Sequence, residues 1–262
     1  MFYSANFNGM TVIKSDLFDK YGIAHMFSTV KDTKRKTVNG VNFGFREGFP
    51  YEETVDSYKK VADYFGVNFE KITKAAQTHT DHIEKITKNR IGMGISKETD
   101  FNDTDGIYTI EKNAPLCVFT ADCVPVLIAD KNNRAVCAVH SGWRGTEKKI
   151  TEKAVKIFTG ELNIPLEDII CAIGPCISKC CFEVSGEVAD VFEGYENASV
   201  YKPNGKYNLD LKKINTDILL NAGIPKENID VCELCTMCDN ELFYSYRRDG
   251  EKTGRLGNFI MR

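Results

Sequence analysis

Two consecutive apolar runs near the middle of the chain constrain the fold more than any other feature. They are APLCVFTADC, residues 114–123, and VPVLIADKNNRAVCAVH, residues 124–140. Both are rich in residues that favour strands, and the KNN segment at 131–133 is typical of a tight turn. We therefore predict neighbouring strands, with a short turn inside the second run. Hairpin pairing about that turn brings Cys123 and His140 to the same end of the strands.

Helical periodicity recurs on both sides of these runs. Apolar side chains return at helical spacing in several segments, two of which end at a glycine. A mixture of helices and apolar strands predicts an α/β or α+β fold with a mixed sheet. Because the sequence contains no internal repeat and no flexible linker, we expect a single domain over residues 1–262. The predicted helices are 52–66, 147–158, 185–195 and 209–223, and the predicted strands outside the central runs are 71–78 and 168–174.

Charge and targeting signals narrow the class of function. The net charge is −3 and no long basic run occurs, which argues against a nucleic-acid surface or an anionic membrane as the main partner. The first 25 residues lack the pattern of a signal peptide, and 18 apolar residues never occur together. We therefore expect a cytoplasmic protein, whose ten cysteines are thiols rather than disulfides.

Three short blocks carry side chains capable of catalysis or metal binding where a strand meets a loop. The first contains His79 and His82, the second Cys123 and the third His140. Three of the four histidines of the chain therefore lie in these blocks. A cysteine beside a histidine supports two mechanisms: a thiolate nucleophile, or a metal site completed by a third ligand. A histidine after a strand is more often a surface residue, and a cysteine in an apolar run is more often core. The polar Asp122 favours a functional site, where it would either pair with a histidine or stabilise a turn. The pattern leaves both mechanisms open.

Two other motifs invite a functional interpretation. Cys232, Cys235 and Cys238 have the spacing of a metal knuckle. A fourth ligand could come from the GPCISKCC segment, residues 174–181, which contains Cys176, Cys180 and Cys181. The chain also has an arginine pair in FYSYRRDG, which would be a solvated turn by default and a phosphate-binding fork if functional. No glycine-rich phosphate loop occurs.

Taken together, the blocks resemble the laccase-domain family, whose members are variously labelled polyphenol oxidase, peptidoglycan editing factor and purine nucleoside phosphorylase. The resemblance runs from about residue 20 to the end of the chain. One departure follows Gly48, where the family commonly has Asp and this chain has Phe49. The matching segments are GVNFGF, QTHTDHI, DTDGIYT, TADCVPVLIAD, AVHSGWRGT, AIGPCIS and CTMCDNELFYSYRRDGEKTGR.

The resemblance implies an α+β fold, a single four-layer α/β/β/α domain with mixed β-sheets. It implies a zinc ion held by His79, Cys123 and His140, which would also be the catalytic residues, with Gly142 and Gly145 allowing close approach of the backbone. The implied reactions are phosphorolysis of adenosine, inosine, guanosine and methylthioadenosine, and deamination of adenosine. The partners would then be a purine nucleoside and inorganic phosphate, with no protein partner evident. The substrate-binding residues expected on this basis are Asn42, Gln77 and Arg144.

Other functions remain open on the sequence alone. A copper polyphenol oxidase is disfavoured because four histidines cannot furnish several copper centres. A metal-free hydrolase or amidase acting on a peptidoglycan precursor would use Cys123 as nucleophile and His140 as base. A sensor or binding protein using the same pocket has no specific support.

Overall fold

The computed structural model describes residues 1–33 and 40–262, and its strands form two large sheets and one small one. The first sheet has the order β1-β2-β3-β15-β7-β4, and the second has the order β14-β10-β8-β9-β6-β5. The strands are β1 (Phe2–Phe7), β2 (Met10–Ser15), β3 (Ala24–Asp32), β4 (Thr73–Lys74), β5 (Ile83–Lys85), β6 (Gly106–Thr109), β7 (Leu116–Thr120), β8 (Val124–Asp130), β9 (Val136–Ser141), β10 (Ile169–Ile173), β11 (Glu183–Val184), β12 (Ser199–Tyr201), β13 (Tyr207–Leu209), β14 (Ile229–Val231) and β15 (Leu256–Met261).

Both large sheets are mixed. Antiparallel pairing predominates. The first sheet has one parallel pair at an edge, β4 with β7, and the second has one at each edge, β5 with β6 and β10 with β14. The small sheet has the order β11-β13-β12. The helices are α1 (Asp16–Lys20), α2 (Tyr51–Phe65), α3 (Trp143–Glu147), α4 (Ile150–Lys156), α5 (Gly186–Asp190), α6 (Leu211–Asn221) and α7 (Tyr246–Asp249).

Alternation along the central strands explains the layering. In β8, Leu127 faces a core between the two large sheets, whereas Val126 and Ile128 face a second core against α4 and α6. Successive side chains of a strand point to opposite faces, so an uninterrupted apolar strand is covered on both sides. A third core packs α2 on the outer face of the first sheet through Tyr58 and Val61. The predicted four-layer α/β/β/α arrangement is confirmed.

The predicted hairpin is present. β8 and β9 pair antiparallel, with Pro125 opposite His140, and residues 131–135 form the connection between them. Cys123 and His140 therefore lie at the same end, as the pattern predicts. The predicted strand at 71–78 is shorter, because only Thr73–Lys74 pair with β7. The predicted helix at 185–195 is likewise reduced to α5, Gly186–Asp190.

None of the helices within residues 1–33 and 40–262 combines the length and hydropathy needed to cross a bilayer.

Candidate active site

Three side chains with metal-binding atoms meet where chain segments pass between the two large sheets. His79 lies in the connection from β4 to β5, Cys123 in the turn between β7 and β8, and His140 in β9. One donor atom from each lies within 4.8 Å of the other two. The Cys123 Sγ and His79 Nε2 atoms are 3.9 Å apart, and the two imidazole centroids are 5.0 Å apart in an edge contact. The structure thus brings together the three residues predicted to act as one site.

The backbone at two of these connections adopts a conformation that side chains usually avoid. His79 has φ of +67° and the neighbouring Asp122 has φ of +88°. Left-handed backbone at a residue other than glycine is uncommon and persists only where surrounding contacts impose it. The Asp122 carboxylate supplies such contacts, because it accepts hydrogen bonds from the hydroxyls of Thr236 and Ser245 and from the Arg247 N–H. This turn aims the Cys123 thiol at the imidazoles.

A buried carboxylate, Asp105, organises the histidine side of the site. Its oxygens accept hydrogen bonds from the backbone N–H groups of Thr78, His79 and Thr80 and from the Thr80 hydroxyl. The same carboxylate lies 2.6 Å from Nδ1 of His140. Burial raises the pKa of Asp105, but His140 and the backbone donors outweigh it and lower the pKa to about 2. One anion therefore fixes the loop of the first histidine and the ring of the second.

The orientation of His140 follows from that hydrogen bond. Its side chain is buried, and its Nδ1 atom faces the Asp105 carboxylate, which directs Nε2 toward Cys123. Burial lowers the pKa of His140, but Cys123 and Asp105 raise it to about 9. Burial raises the pKa of Cys123, but His140 and His79 lower it to about 6. The electrostatics of the protein thus favour the thiolate.

Gly142 leaves room for these side chains to converge. A Cβ atom at this position would lie 3.0 Å from Cδ2 of His79 and 3.2 Å from Sγ of Cys123. The sequence resemblance assigned this glycine a close approach of the backbone, and the distances account for it. The second predicted glycine, Gly145, is tight as well, with a Cβ position 3.2 Å from the Thr80 carbonyl oxygen.

The three donors face a cavity of about 500 Å³, a volume within the usual range for small-molecule sites. Its walls combine aromatic rings with two guanidinium groups. Aromatic faces suit a planar heterocycle, and guanidinium groups suit an anion. Besides the three donors, the lining comprises Gln77, Phe119, Thr120, Ala121, Asp122, Ile177, Phe182, Tyr246, Arg247 and Arg255.

Of the three residues predicted to bind substrate, one lines the cavity and two do not. Gln77 lines the cavity, where its amide group pairs with the backbone N–H and C=O of Phe119. Asn42 is buried, and its side-chain oxygen accepts hydrogen bonds from the N–H groups of Gly44 and Arg255. Asn42 thus positions the Arg255 backbone. Arg144 is exposed and lies over the Trp143 ring, 4.2 Å from its centroid, outside the cavity lining.

Sequence reasoning missed two groups that shape the site, and it left two roles open for Asp122. The hydrogen bonds of Asp122 go to the segment 236–247, which gives it the turn-stabilising role, and Asp105 is the partner of His140. The only sequence signal for Asp105 was its presence in the DTDGIYT block. His82, which was not assigned to the site, lies apart from it with Nε2 3.3 Å from Glu84.

The second missed group is a pair of arginines, Arg46 and Arg255. Both approach Gly44, whose Cβ position would lie 2.8 Å from Cγ of Arg255 and 3.5 Å from Cδ of Arg46. Burial lowers the pKa of Arg255, and the charge of Arg46 lowers it further. The Nη1 atom of Arg46 is buried without a hydrogen-bond partner among the described residues. Two guanidinium groups held this close leave positive charge available to an anion.

The sequence is similar to proteins named purine nucleoside phosphorylase. A purine nucleoside phosphorylase, YlmD of Bacillus subtilis strain 168, is 36% identical over 231 residues, which is 86% of this chain and 83% of that protein. A purine nucleoside phosphorylase of Clostridium acetobutylicum is 34% identical over 253 residues, covering 95% and 94% of the two chains.

Solved structures share the fold of this chain. The hypothetical protein YfiH of Bacillus licheniformis superposes with a TM-score of 0.88 at 32% identity, covering 98% of this chain and 97% of that one. YlmD of Geobacillus stearothermophilus superposes with a TM-score of 0.87, also at 32% identity and with the same coverage. Residues 24–262 match the family model described as multi-copper polyphenol oxidoreductase laccase. The resemblance seen in the sequence is confirmed, and the chain belongs to this laccase-like family.

Proposed function

We propose that this protein is a zinc-dependent purine nucleoside phosphorylase that also deaminates adenosine. Its substrates would be adenosine, inosine, guanosine and methylthioadenosine, with inorganic phosphate as the second substrate. The names of its relatives support the reaction class. The observation that carries the proposal is the convergence of His79, Cys123 and His140 on a cavity that arginine side chains also face.

The donor set supports zinc as the metal. Zinc prefers imidazole nitrogen and thiolate sulfur at about 2.0–2.3 Å, and three protein ligands are typical of a catalytic site with one open position. A nitrogen–sulfur separation of 3.9 Å between His79 and Cys123 is close to what two such bonds require. The Asp105–His140 hydrogen bond is the second contact that metal-binding histidines usually make. When bound, zinc would supply Lewis acidity to the reaction.

Side chains of the cavity would bind and position the phosphate and the nucleoside. Phosphorolysis joins a phosphate oxygen to the anomeric carbon while the bond to the base nitrogen breaks and the base leaves with the bonding electrons. The phosphate needs charge neutralisation beside the sugar, for which Arg255 is well situated because it lies close enough to Cys123 for their charges to interact. Arg247 lines the same cavity and stacks on Phe182 at 5.3 Å. The aromatic rings would take the purine.

A nucleoside panel tests the proposal. The zinc-loaded protein is incubated with each of the four nucleosides, with and without phosphate, and products are separated by chromatography. We expect free base only when phosphate is present, and inosine from adenosine without it. His79→Ala should remove both activities. If zinc-loaded protein turns over none of these nucleosides under either condition, the proposal is wrong.

Two arginine variants test where phosphate binds. Arg255→Lys keeps the charge but loses the guanidinium geometry, so we expect a higher KM for phosphate with a smaller change in the KM for nucleoside. Arg144→Lys tests the sequence prediction that this exposed residue contacts phosphate. An unchanged phosphate KM in Arg255→Lys, with a raised one in Arg144→Lys, would reverse the assignment.

A metal-free hydrolase is the alternative that the same thiol and imidazole would support. In that case a chelator leaves activity intact, and a thiol alkylator abolishes it in metal-free protein. Loss of activity on chelation, restored by zinc, favours the proposed enzyme. Copper-dependent oxidation of a phenol would instead indicate an oxidase.

A further inference from the structure

A second group of cysteines lies outside the active-site cavity. Cys180, Cys181, Cys235 and Cys238 place their sulfur atoms within 4.8 Å of one another, and we refer to them as the four-cysteine cluster. All four are free thiols. Two belong to the connection from β10 to β11, and two belong to the connection from β14 to α7.

The cysteines that form the cluster are not the ones that sequence spacing groups together. Spacing alone would group Cys232 with the other two cysteines of CELCTMC. The Cys232 side chain instead lies in the core between the two large sheets, 1% exposed, because its N–H continues the pairing of the strands by donating to Ile173. The adjacent pair Cys180 and Cys181 completes the cluster from the other connection.

The sulfur spacing suits a single metal ion. With metal–sulfur bonds of about 2.3 Å, a tetrahedral thiolate site places its sulfurs about 3.8 Å apart. The measured separations are 3.8 Å between Cys180 and Cys235, 3.6 Å between Cys180 and Cys238, and 3.3 Å between Cys181 and Cys238. A polynuclear iron–sulfur cluster would need its cysteines further apart. The cluster is therefore sized for one ion.

Backbone donors surround the innermost sulfur. The Ser178 N–H donates to Sγ of Cys235 at 3.4 Å, and the N–H groups of Met237 and Cys238 also face that sulfur. These contacts favour a thiolate there. The Arg248 guanidinium donates to the carbonyl groups of Thr236 and Met237, which ties the segment between Cys235 and Cys238 to α7.

We propose that the four-cysteine cluster binds a structural zinc ion that fastens the 174–182 connection to the 232–245 connection. Both connections also contact Asp122, in the turn beside Cys123. The Ile177 N–H donates to the Asp122 carbonyl at 2.9 Å, and the Thr236 hydroxyl donates to the Asp122 carboxylate at 2.6 Å. Ile177 and Phe182 also line the active-site cavity. The second ion would thus stabilise one wall of that cavity without facing it.

Metal counting tests the proposal independently of enzymatic activity. In the background His79→Ala/Cys123→Ala, two of the three active-site donors are gone, and we expect one zinc per chain by elemental analysis. Adding Cys181→Ser and Cys238→Ser should bring zinc to zero. The matched control is Cys232→Ala, which removes a neighbouring cysteine outside the cluster and should keep the zinc.

Cobalt gives a second measurement, because its spectrum reports the ligands. Reconstituted with Co²⁺, the His79→Ala/Cys123→Ala protein should show the thiolate charge-transfer and visible bands of a tetrahedral sulfur site. The Cys181→Ser/Cys238→Ser change should abolish them. Circular dichroism of each variant establishes that it is folded.

Three outcomes would overturn the proposal. The first is a folded background variant that carries no zinc and whose four cluster thiols react with a disulfide reagent as fast as free cysteine. The second is a Cys181–Cys238 disulfide in freshly isolated protein. The third is iron with sulfide in place of zinc. Each is measurable whether or not the protein turns over nucleosides.

Discussion

Replacing Asp105 by Asn would reverse the proton pattern on which the active site depends. In the wild-type protein both carboxylate oxygens accept: one from His140 Nδ1 and the His79 N–H, the other from donors on Thr78 and Thr80. An amide keeps only one accepting oxygen. It will turn that oxygen toward the three donors of Thr78 and Thr80, which leaves its NH₂ group facing His140. The imidazole must then accept at Nδ1 and carry its proton on Nε2.

The magnitude follows from these contacts. Once the ring of His140 has changed tautomer, the His79 N–H is the donor left without a partner. Losing one hydrogen bond to a charged acceptor costs about 1.5–3 kcal/mol of stability. Metal binding requires Nε2 without its proton, which forces Nδ1–H against the amide NH₂. Loss of such a supporting partner typically lowers metal affinity by about 10–100-fold, or about 1.4–2.7 kcal/mol.

Two measurements check this prediction. Competition with a chromophoric chelator gives the zinc affinity, and nitrogen NMR of the labelled imidazole identifies which ring nitrogen carries the proton. Asp130→Asn is the matched control: it too is a buried aspartate, but its partner is Arg134 at the far end of β8. It should lose stability and keep its zinc affinity. Wild-type zinc affinity in Asp105→Asn, or a proton still on Nδ1 of His140, would refute the reasoning.

Three further predictions follow from other parts of the molecule. Gly142→Ala should lower zinc content without unfolding the protein, because the new Cβ would lie 3.0 Å from His79; Gly160→Ala, where nothing lies within 4 Å, should leave it unchanged. Burial lowers the pKa of His25 to about 4 from an unfolded value of 6.5, so the unfolded state binds the extra proton between those values and stability falls as pH falls through that window. The loss in urea titrations should reach about 3 kcal/mol below pH 4 and be absent from the pH dependence of His25→Gln; equal pH slopes would contradict this. Leu127→Ala, in the core between the sheets, should cost about 2–5 kcal/mol by chemical denaturation, and a loss below 1 kcal/mol would mean that the two sheets close over the gap.

The pattern of the sequence predicts the centre of the site better than its surroundings. A turn at 131–133 is enough to place Cys123 and His140 together, because register in a hairpin follows from the position of its turn. Asp105 could not be found in this way. It reaches His140 because β6 pairs with β9, with Gly106 opposite Val139, and that pairing joins segments more than 30 residues apart. His79 depends on a left-handed backbone that no periodicity reveals.

Local spacing misled the interpretation of the cysteines for a related reason. Cys232, Cys235 and Cys238 are evenly spaced along the chain, yet a strand-like N–H contact turns the first of them into the core. The Cys180–Cys181 pair replaces it from a segment over 50 residues away. Similarly, the run at 71–78 has strand-like composition, but pairing partners exist for only two of its residues. Partners distant in sequence decide each case.

Two of the three active-site donors sit on chain segments that step from one large sheet to the other: β4 to β5 for His79, and β7 to β8 for Cys123. The distances between the donors consequently depend on the relative position of the two large sheets. A shift of a fraction of an ångström between the two sheets changes the distances among His79, Cys123 and His140, although none of these residues is itself substituted. Zinc affinity and the packing of the apolar core between the two large sheets should therefore change together, even for substitutions made far from the cavity.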